Sequence, residues 1–203
     1  MAAVLRTRKL RTRKDSPDDR IEFLRGFLRK PKEVGSIIPS SRFLERRLIR
    51  ATRAAEAKLI VELGPGTGGT TRALLGALDP AARLVAIEIN PRFAELLQRG
   101  ADPRLTVAQG SATDIASILA DHGLGAPDLV VSGIPFSTMA RPVGLEILRA
   151  VYDCLAPGGA FVAYQVRDRV HALGREVFGP ARVQRELLNV PPMRFYRWEK
   201  DAA

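Results

Sequence analysis

Residues 59–68 read LIVELGPGTG, a short apolar run that leads directly into a glycine-rich turn. An apolar run of this length, bounded by glycines, is typical of a strand that is buried on both faces. Residues 68–78 continue with helical patterning, so Gly64, Gly66 and Gly68 stand in a strand-to-helix turn. Because glycine accepts left-handed backbone and lets a ligand approach closely, the stretch predicts a ligand site at the carboxyl end of a strand.

The rest of the chain repeats the alternation of short apolar runs with helical patterns. Such alternation indicates βαβ units around a parallel sheet. We predict strands at 58–63, 83–88, 104–109, 127–132 and 159–165, and helices near 68–78, 91–100, 113–121, 141–155 and 168–178. Two further strands, 181–189 and 193–199, are expected to close the sheet as an antiparallel pair, which such folds allow. The prediction is a doubly wound α/β fold with seven strands, mostly parallel, and an N-terminal helical arm.

An acidic residue, Glu88, ends the second predicted strand about 20 residues after the glycine turn, as recognition of ribose hydroxyls requires. The glycines follow the order Glu62-x-Gly64-x-Gly66-x-Gly68, with an acidic residue ahead of the turn. This pattern resembles the first motif of class I S-adenosylmethionine (SAM) dependent methyltransferases. That resemblance implies SAM as the cofactor, with the glycine turn beneath its methionine part and Glu88 at both ribose hydroxyls.

The segments after the second and third strands complete the expected cofactor site. The resemblance implies that the loop after the third strand holds the adenine, so we add Ile89, Ser111, Ala112 and Asp114 to the predicted site. A second interpretation is that Ser111 or Thr113 caps the following helix, with Asp114 interacting favourably with the helix dipole. Capping and adenine contact are compatible.

The fourth strand ends in Ser132, Gly133, Ile134 and Pro135, which the fold is expected to bring beside the transferred methyl. We predict that these four residues position the acceptor amine, and that Ser132 also contacts the cofactor. Enzymes that methylate amino groups of nucleic-acid bases have a similar motif beginning with Asn or Asp. Because Gly133 has no side chain with which to accept a hydrogen bond, the departure argues against a base as acceptor.

Two flanking segments carry a narrower resemblance. Residues 23–41, FLRGFLRKPKEVGSIIPSS, and 188–193, LNVPPM, are similar to bacterial phospholipid N-methyltransferases, and the likeness covers nearly all of 20–199. It implies methylation of phosphatidylethanolamine and its methylated intermediates towards phosphatidylcholine, with ornithine-type lipids left open. Similar sequences are readily confused with ribosomal RNA adenine dimethylases, which usually carry a C-terminal helical domain as well.

The net charge of +10 lies entirely in the N-terminal part of the chain. Residues 1–60 hold 17 Lys and Arg against 7 Asp and Glu, whereas 61–203 hold 15 of each. We divide the chain into a basic arm, 1–57, with helices at about 17–30 and 40–55, and a SAM-binding domain, 58–203. A localised basic block favours a polyanionic partner, either nucleic acid or an anionic membrane.

The first arm helix has an apolar side and basic residues on its other faces. This pattern is typical of helices that lie on a membrane surface, although the apolar side could instead pack on the domain. The chain has no run of about 18 apolar residues and no signal-peptide core, so we expect a cytoplasmic protein bound peripherally to the inner face of the cell membrane. The predicted membrane-binding residues are Arg20, Phe23, Leu24, Phe27, Leu28 and Lys30.

Other interpretations stay open at this point. The principal alternative is an adenine N-methyltransferase of ribosomal RNA or another nucleic acid, with the arm binding phosphates. A second is a SAM- or lipid-binding protein without catalysis. No metal is expected, and no general base can be named, since His122 and His171 have the pattern of surface histidines. Residues 34–38 are either a lid over SAM or a connector between helices.

Overall fold

The apolar runs form one seven-stranded sheet in the order β3-β2-β1-β4-β5-β7-β6. The computed structural model describes residues 42–100, 102–187 and 192–202, apart from the side chains of residues 42 and 43. The strands are β1 Leu59–Leu63, β2 Arg83–Glu88, β3 Leu105–Gln109, β4 Leu129–Ser132, β5 Ala160–Gln165, β6 Arg182–Glu186 and β7 Met193–Glu199. Strands β1 to β5 pair in parallel, whereas β7 is antiparallel to both β5 and β6. The predicted fold class is confirmed.

Six α-helices connect or flank the strands in the described residues. They are α1 Arg42–Thr52, α2 Gly69–Ala77, α3 Pro91–Gln98, α4 Ile115–Asp121, α5 Arg141–Cys154 and α6 Arg169–Phe178. The helix α1 lies within the second predicted arm helix. The first predicted arm helix, its six proposed membrane-binding residues and the candidate lid at 34–38 lie outside the described residues. Among the described helices, none combines the length and the apolar character needed to cross a bilayer.

The strand β4 is shorter than predicted, for a reason visible at its start. Pro127 has no N–H to donate to a neighbouring strand, and the Asp128 side chain accepts hydrogen bonds from the backbone N–H groups of Lys58 and Leu59 at 2.8 and 2.9 Å. These residues therefore hold the start of β1 before the pairing with β4 begins at Leu129. The strand β6 ends at Glu186 instead of residue 189, and 188–191 lie outside the described residues.

Alternate residues of the central strands supply two hydrophobic cores. One face, with Val61 and Val85, packs against α4, α5 and α6. The other face, with Ile60 and Val131, packs against α1 and α2. Burial on both faces explains why these strands read as continuous apolar runs instead of alternating ones.

Two arginine contacts fix α1 against the antiparallel end of the sheet. The Arg197 guanidinium donates to the carbonyl oxygens of Ala51 and Thr52 at 3.1 and 3.2 Å. Near the middle of α1, Arg47 Nε donates to Glu186 Oε2 at 3.1 Å. The helix α1 is thus held on the same face of the sheet as α2. The division of the chain at residue 57 stays a prediction.

Candidate active site

The glycine turn joins β1 to α2 at the point where the strand order reverses. Gly64, Gly66 and Gly68 have φ values of 69°, 57° and 79°, the left-handed region that favours glycine. Space is restricted as well: a Cβ on Gly68 would lie 2.6 Å from Leu97 Cδ2. The turn therefore needs glycine both for its backbone conformation and for its close packing on α3.

Glu88, the last residue of β2, connects its strand to this turn. It is only 5% exposed; Oε2 accepts a hydrogen bond from Gly66 N and Oε1 accepts one from Asn90 N, both at 2.9 Å. Burial raises the pKa of Glu88, and the backbone N–H donors counteract that effect. Each carboxylate oxygen keeps a second acceptor position, so Glu88 can still receive hydroxyl donors.

Glu62 is a fully buried carboxyl group beneath the same turn. Its Oε2 accepts a hydrogen bond from Thr71 Oγ1 at 2.7 Å, whereas Oε1 is buried with no hydrogen-bond partner in the described structure. Burial raises the pKa of Glu62 to about 7, the Thr71 bond opposes the rise, and the charge of Glu88 adds to it. A buried acceptor without a donor is costly, so the Oε1 atom is suited to receive a cationic donor of a bound ligand.

The loop after β3 forms a short capped turn. Ser111 Oγ accepts a hydrogen bond from Thr113 N at 3.3 Å and lies 2.8 Å from Thr113 Oγ1. Ser111 therefore caps the single turn Ala112–Asp114, whereas the N-terminus of α4 at Ile115 has no side-chain cap. Ala112 is buried and Asp114 is exposed, and Gly110 N, just before them, donates to Glu88 O at 3.1 Å. The contact of this loop with adenine stays a prediction.

The loop after β4 lies against both the glycine turn and β5. Buried Ser132 accepts a hydrogen bond from Ile134 N at its Oγ, at 3.3 Å, and the Ile134 carbonyl accepts one from Gln165 Nε2 at 2.6 Å. A Cβ on Gly133 would lie 2.5 Å from Tyr164 Oη and 3.2 Å from Gly64 O. The β4 loop, with half-buried Pro135 at its end, therefore has no room for a side chain at position 133.

Four residues that the sequence did not indicate belong to this site. Thr70 and Thr71 lie in the first turn of α2, directly after the glycines, and that position could have suggested them. Tyr164 and Gln165 end β5, and they reach the β4 loop only through the pairing of β5 with β4. Tyr164 Oη lies 3.0 Å from Thr70 Oγ1, and burial together with the charge of Glu62 raises the Tyr164 pKa, so the phenol is neutral.

The structure brings most predicted site residues to one edge of the sheet. The ends of β1, β2 and β4 bring together Glu62, the glycines, Glu88 and the β4 loop. Half-buried Ile89 follows Glu88, and Ser111 lies one strand further out, after β3. The two histidines are elsewhere: His122 follows the last turn of α4, and His171 in α6 stacks on Tyr196 with ring centroids 5.1 Å apart. Among the described residues, no cluster of three or more His, Cys, Asp or Glu could hold a metal.

A doubly wound sheet with a glycine turn at the switch point and an acid at the end of the next strand defines a nucleoside-binding α/β protein. The residues also fit SAM in particular, because the buried Glu62 Oε1 has no hydrogen-bond partner in the described structure and can accept a bond from a cationic ammonium group. Glu88, with acceptor capacity left, is positioned for the ribose.

Comparison with known proteins narrows this class. A family model described as a methyltransferase domain matches residues 60–159. An ornithine lipid N-methyltransferase of Singulisphaera acidiphila is 33% identical over 141 residues, which cover 68% of this chain and 73% of that protein. A ribosomal RNA small subunit methyltransferase A of Phenylobacterium zucineum is 31% identical over 166 residues, 75% of this chain but only 54% of that protein.

A solved structure shares the fold. The N-methyltransferase NodS of Bradyrhizobium japonicum, in complex with S-adenosyl-L-homocysteine, superimposes with a TM-score of 0.64 at 15% identity, covering 88% of this chain and 98% of that one. With the family match and the lipid-enzyme relative, the assignment is plain: the chain belongs to the class I SAM-dependent methyltransferases. The prediction of SAM as the cofactor is confirmed.

Proposed function

We propose that this enzyme transfers methyl groups from SAM to the amine of phosphatidylethanolamine, and then to its methylated intermediates, towards phosphatidylcholine at the membrane surface. The observation that carries the proposal is the β4 loop, where Gly133 leaves no amide to bind a nucleobase and Tyr164 occupies the space that a side chain would need. The similarity to an ornithine lipid N-methyltransferase supports an amino-lipid as the acceptor class.

The contacts at the glycine turn support the proposed cofactor-binding roles. In the proposal, Glu88 accepts from the ribose hydroxyls and Glu62 Oε1 accepts from the methionine ammonium. The glycine turn supports the methionine part, and the adenine lies between Ile89 and the loop of Ser111, Ala112 and Asp114. Ser132, fully buried at the end of β4, shapes the floor of the site.

Bound SAM supplies a sulfonium-activated methyl group, so the reaction forms a C–N bond, breaks the C–S bond and releases S-adenosylhomocysteine. The protein has to present the amine nitrogen with its lone pair free and in line with the methyl. The proton on nitrogen leaves to solvent, because neutral Tyr164 is a poor base at pH 7 and no histidine of the described residues lies at the β4 loop. The loop Ser132–Pro135 therefore acts by positioning.

The basic arm is proposed to bring the enzyme to its substrate. In the proposal, the arm inserts an apolar side into the membrane interface, and each basic charge contributes about 1 kcal/mol of binding near an anionic surface. The residues concerned are Arg20, Phe23, Leu24, Phe27, Leu28 and Lys30. Co-sedimentation with anionic vesicles compares the full chain with a deletion of residues 1–30. We expect the deletion to lose most of the binding; unchanged binding would refute the membrane role.

Two other acceptors are supported by specific relatives. The lipid N-methyltransferase relative supports the amine of an ornithine lipid, and the relative whose match spans 75% of this chain supports ribosomal RNA. The side-chain-free Gly133 disfavours the RNA acceptor.

A panel of acceptors distinguishes the three. Purified enzyme with radiolabelled SAM is given vesicles of phosphatidylethanolamine, vesicles of ornithine lipid, or ribosomal RNA. We expect the fastest labelling with phosphatidylethanolamine. Faster labelling of ornithine lipid would transfer the proposal to that lipid, and labelling of RNA alone would overturn the lipid proposal.

A further inference from the structure

We propose that the Tyr164 hydroxyl contacts the acceptor amine and orients it for methyl transfer, an assignment that rests on the proposed function. Tyr164 belongs to neither the glycine motif nor the β4 loop, and it enters the site from β5. Three properties support the role: the space that Tyr164 fills at Gly133, the position of its hydroxyl, and the chemistry of a neutral phenol.

The Tyr164 side chain occupies the space that a side chain at position 133 would need. A Cβ there would lie 2.5 Å from Tyr164 Oη and 3.1 Å from Cζ, distances that real Cβ atoms avoid. Gly133 is not among the described glycines with positive φ, so its backbone conformation does not itself demand glycine. The requirement for glycine at 133 therefore comes from the tyrosine, and the two residues form a coupled pair.

The hydroxyl lies where the acceptor loop meets the cofactor turn. Its oxygen is 3.0 Å from Thr70 Oγ1 in the first turn of α2, and the Cβ position of Gly133 that it fills is 3.2 Å from the carbonyl oxygen of Gly64. The side chain thus spans from β5 across the end of β4 to the start of α2. No other tyrosine in the described residues is in contact with the β4 loop and α2 together.

A neutral phenol at this position can form a hydrogen bond with an amine without taking a proton from it. The hydroxyl donates one hydrogen bond and accepts two, so it can donate to Thr70 and still accept an N–H from the substrate. Burial and the nearby Glu62 charge raise its pKa and keep it protonated. An accepted N–H fixes the orientation of the nitrogen and leaves its lone pair free for the methyl.

This role has a step-dependent signature. The neutral primary amine has two N–H groups, the monomethylated amine has one and the dimethylated amine has none. The hydroxyl should therefore assist the first two transfers and contribute little to the last. If the tyrosine had a purely structural role, its replacement would lower the rates of all three methyl transfers equally.

The test compares Tyr164→Phe with Tyr152→Phe, a matched control on α5 whose ring contacts Phe178 and Lys200 away from the site. Vesicles contain phosphatidylethanolamine, its monomethyl form or its dimethyl form, and SAM affinity is measured separately by calorimetry. We expect Tyr164→Phe to lower kcat/KM roughly tenfold for the first two lipids and less than about threefold for the third. SAM affinity should be unchanged, and Tyr152→Phe should behave as wild type. Equal losses for the three lipids, or no loss, would overturn the assignment.

A double-mutant cycle tests the geometry without any acceptor. Gly133→Ala should lower the melting temperature more in the wild-type background than in the Tyr164→Phe background, because removing Oη relieves the 2.5 Å contact. Additive effects would contradict the coupling.

If wild-type enzyme labels only RNA, the proposed lipid function fails but the role of Tyr164 can still be tested. Tyr164→Phe is then assayed on RNA. A loss of methyl transfer supports the contact between Tyr164 and the acceptor amine, and full activity overturns that contact.

Discussion

The protonation of Glu62 should make SAM binding depend on pH. Its carboxyl group is fully buried, its Oε1 has no partner in the described structure, and its pKa is raised from 4.5 to about 7, mainly by burial. If the ionised form receives the SAM ammonium, the apparent Kd is the intrinsic Kd divided by the ionised fraction. With a pKa of about 7, that fraction increases about eightfold between pH 6 and pH 7.5, and SAM affinity should increase by the same factor.

The same group should also affect the stability of the protein without SAM. Because the folded-state pKa is the higher one, the unfolded chain loses its proton first as pH rises. The stabilising contribution is complete below pH 4.5 and is lost as pH rises to about 7. A pKa shift of this size corresponds to about 3 kcal/mol in the free energy of unfolding.

Calorimetric titration with SAM from pH 6 to 7.5 measures the first effect, over a range in which an α-amino group stays mostly protonated. Glu62→Gln, which is neutral throughout, should show a flat profile and weaker binding at pH 7.5. The control is Glu95→Gln, an exposed residue of α3 paired with Arg99, which should keep the wild-type slope. A wild-type affinity that does not change with pH, or a Glu62→Gln variant with the wild-type slope, would refute this reasoning.

Three further substitutions test the packing and the cofactor site. Glu88→Ala removes both the proposed ribose contact and the bond to Gly66, so SAM affinity measured by calorimetry should fall at least about tenfold; unchanged affinity would contradict the ribose assignment. Gly174→Ala in α6 would bring a Cβ into steric overlap with the Trp198 ring, and denaturant unfolding should show a loss of roughly 1–3 kcal/mol in the free energy of unfolding. Gly76→Ala in α2, where a Cβ meets open space, should instead stabilise by up to about 1 kcal/mol, so a loss at both sites would contradict the packing account.

Much of the fold could be predicted from sequence because each buried parallel strand is a continuous apolar run between turns. The predicted bounds were wrong at two strand ends. The strand β4 starts only after Pro127, which has no N–H, and Asp128, whose side chain accepts from the start of β1; β6 ends at Glu186. The glycine turn and Glu88 could be found because their spacing along the chain reflects a local strand–turn–helix geometry.

Tyr164 could not be found in this way. Its contact with Gly133 depends on the register of β5 against β4, which joins residues about 30 positions apart. Similarly, the motif contains Glu62 but does not reveal that one carboxylate oxygen has a donor while the other is buried without one in the described structure. Sequence spacing identifies which residues meet a ligand locally, whereas packing between strands decides what surrounds them.

The most direct test of the proposed function is a competition in one tube. Purified enzyme receives radiolabelled SAM together with phosphatidylethanolamine vesicles containing anionic lipid and an equal mass of ribosomal RNA, and the label is then counted after extraction into organic and aqueous phases. We predict that the label enters the organic phase and comigrates with methylated phosphatidylethanolamines, and that Glu88→Ala lowers this labelling when SAM is below saturation. Label confined to the RNA would contradict the assignment of an amino-lipid acceptor.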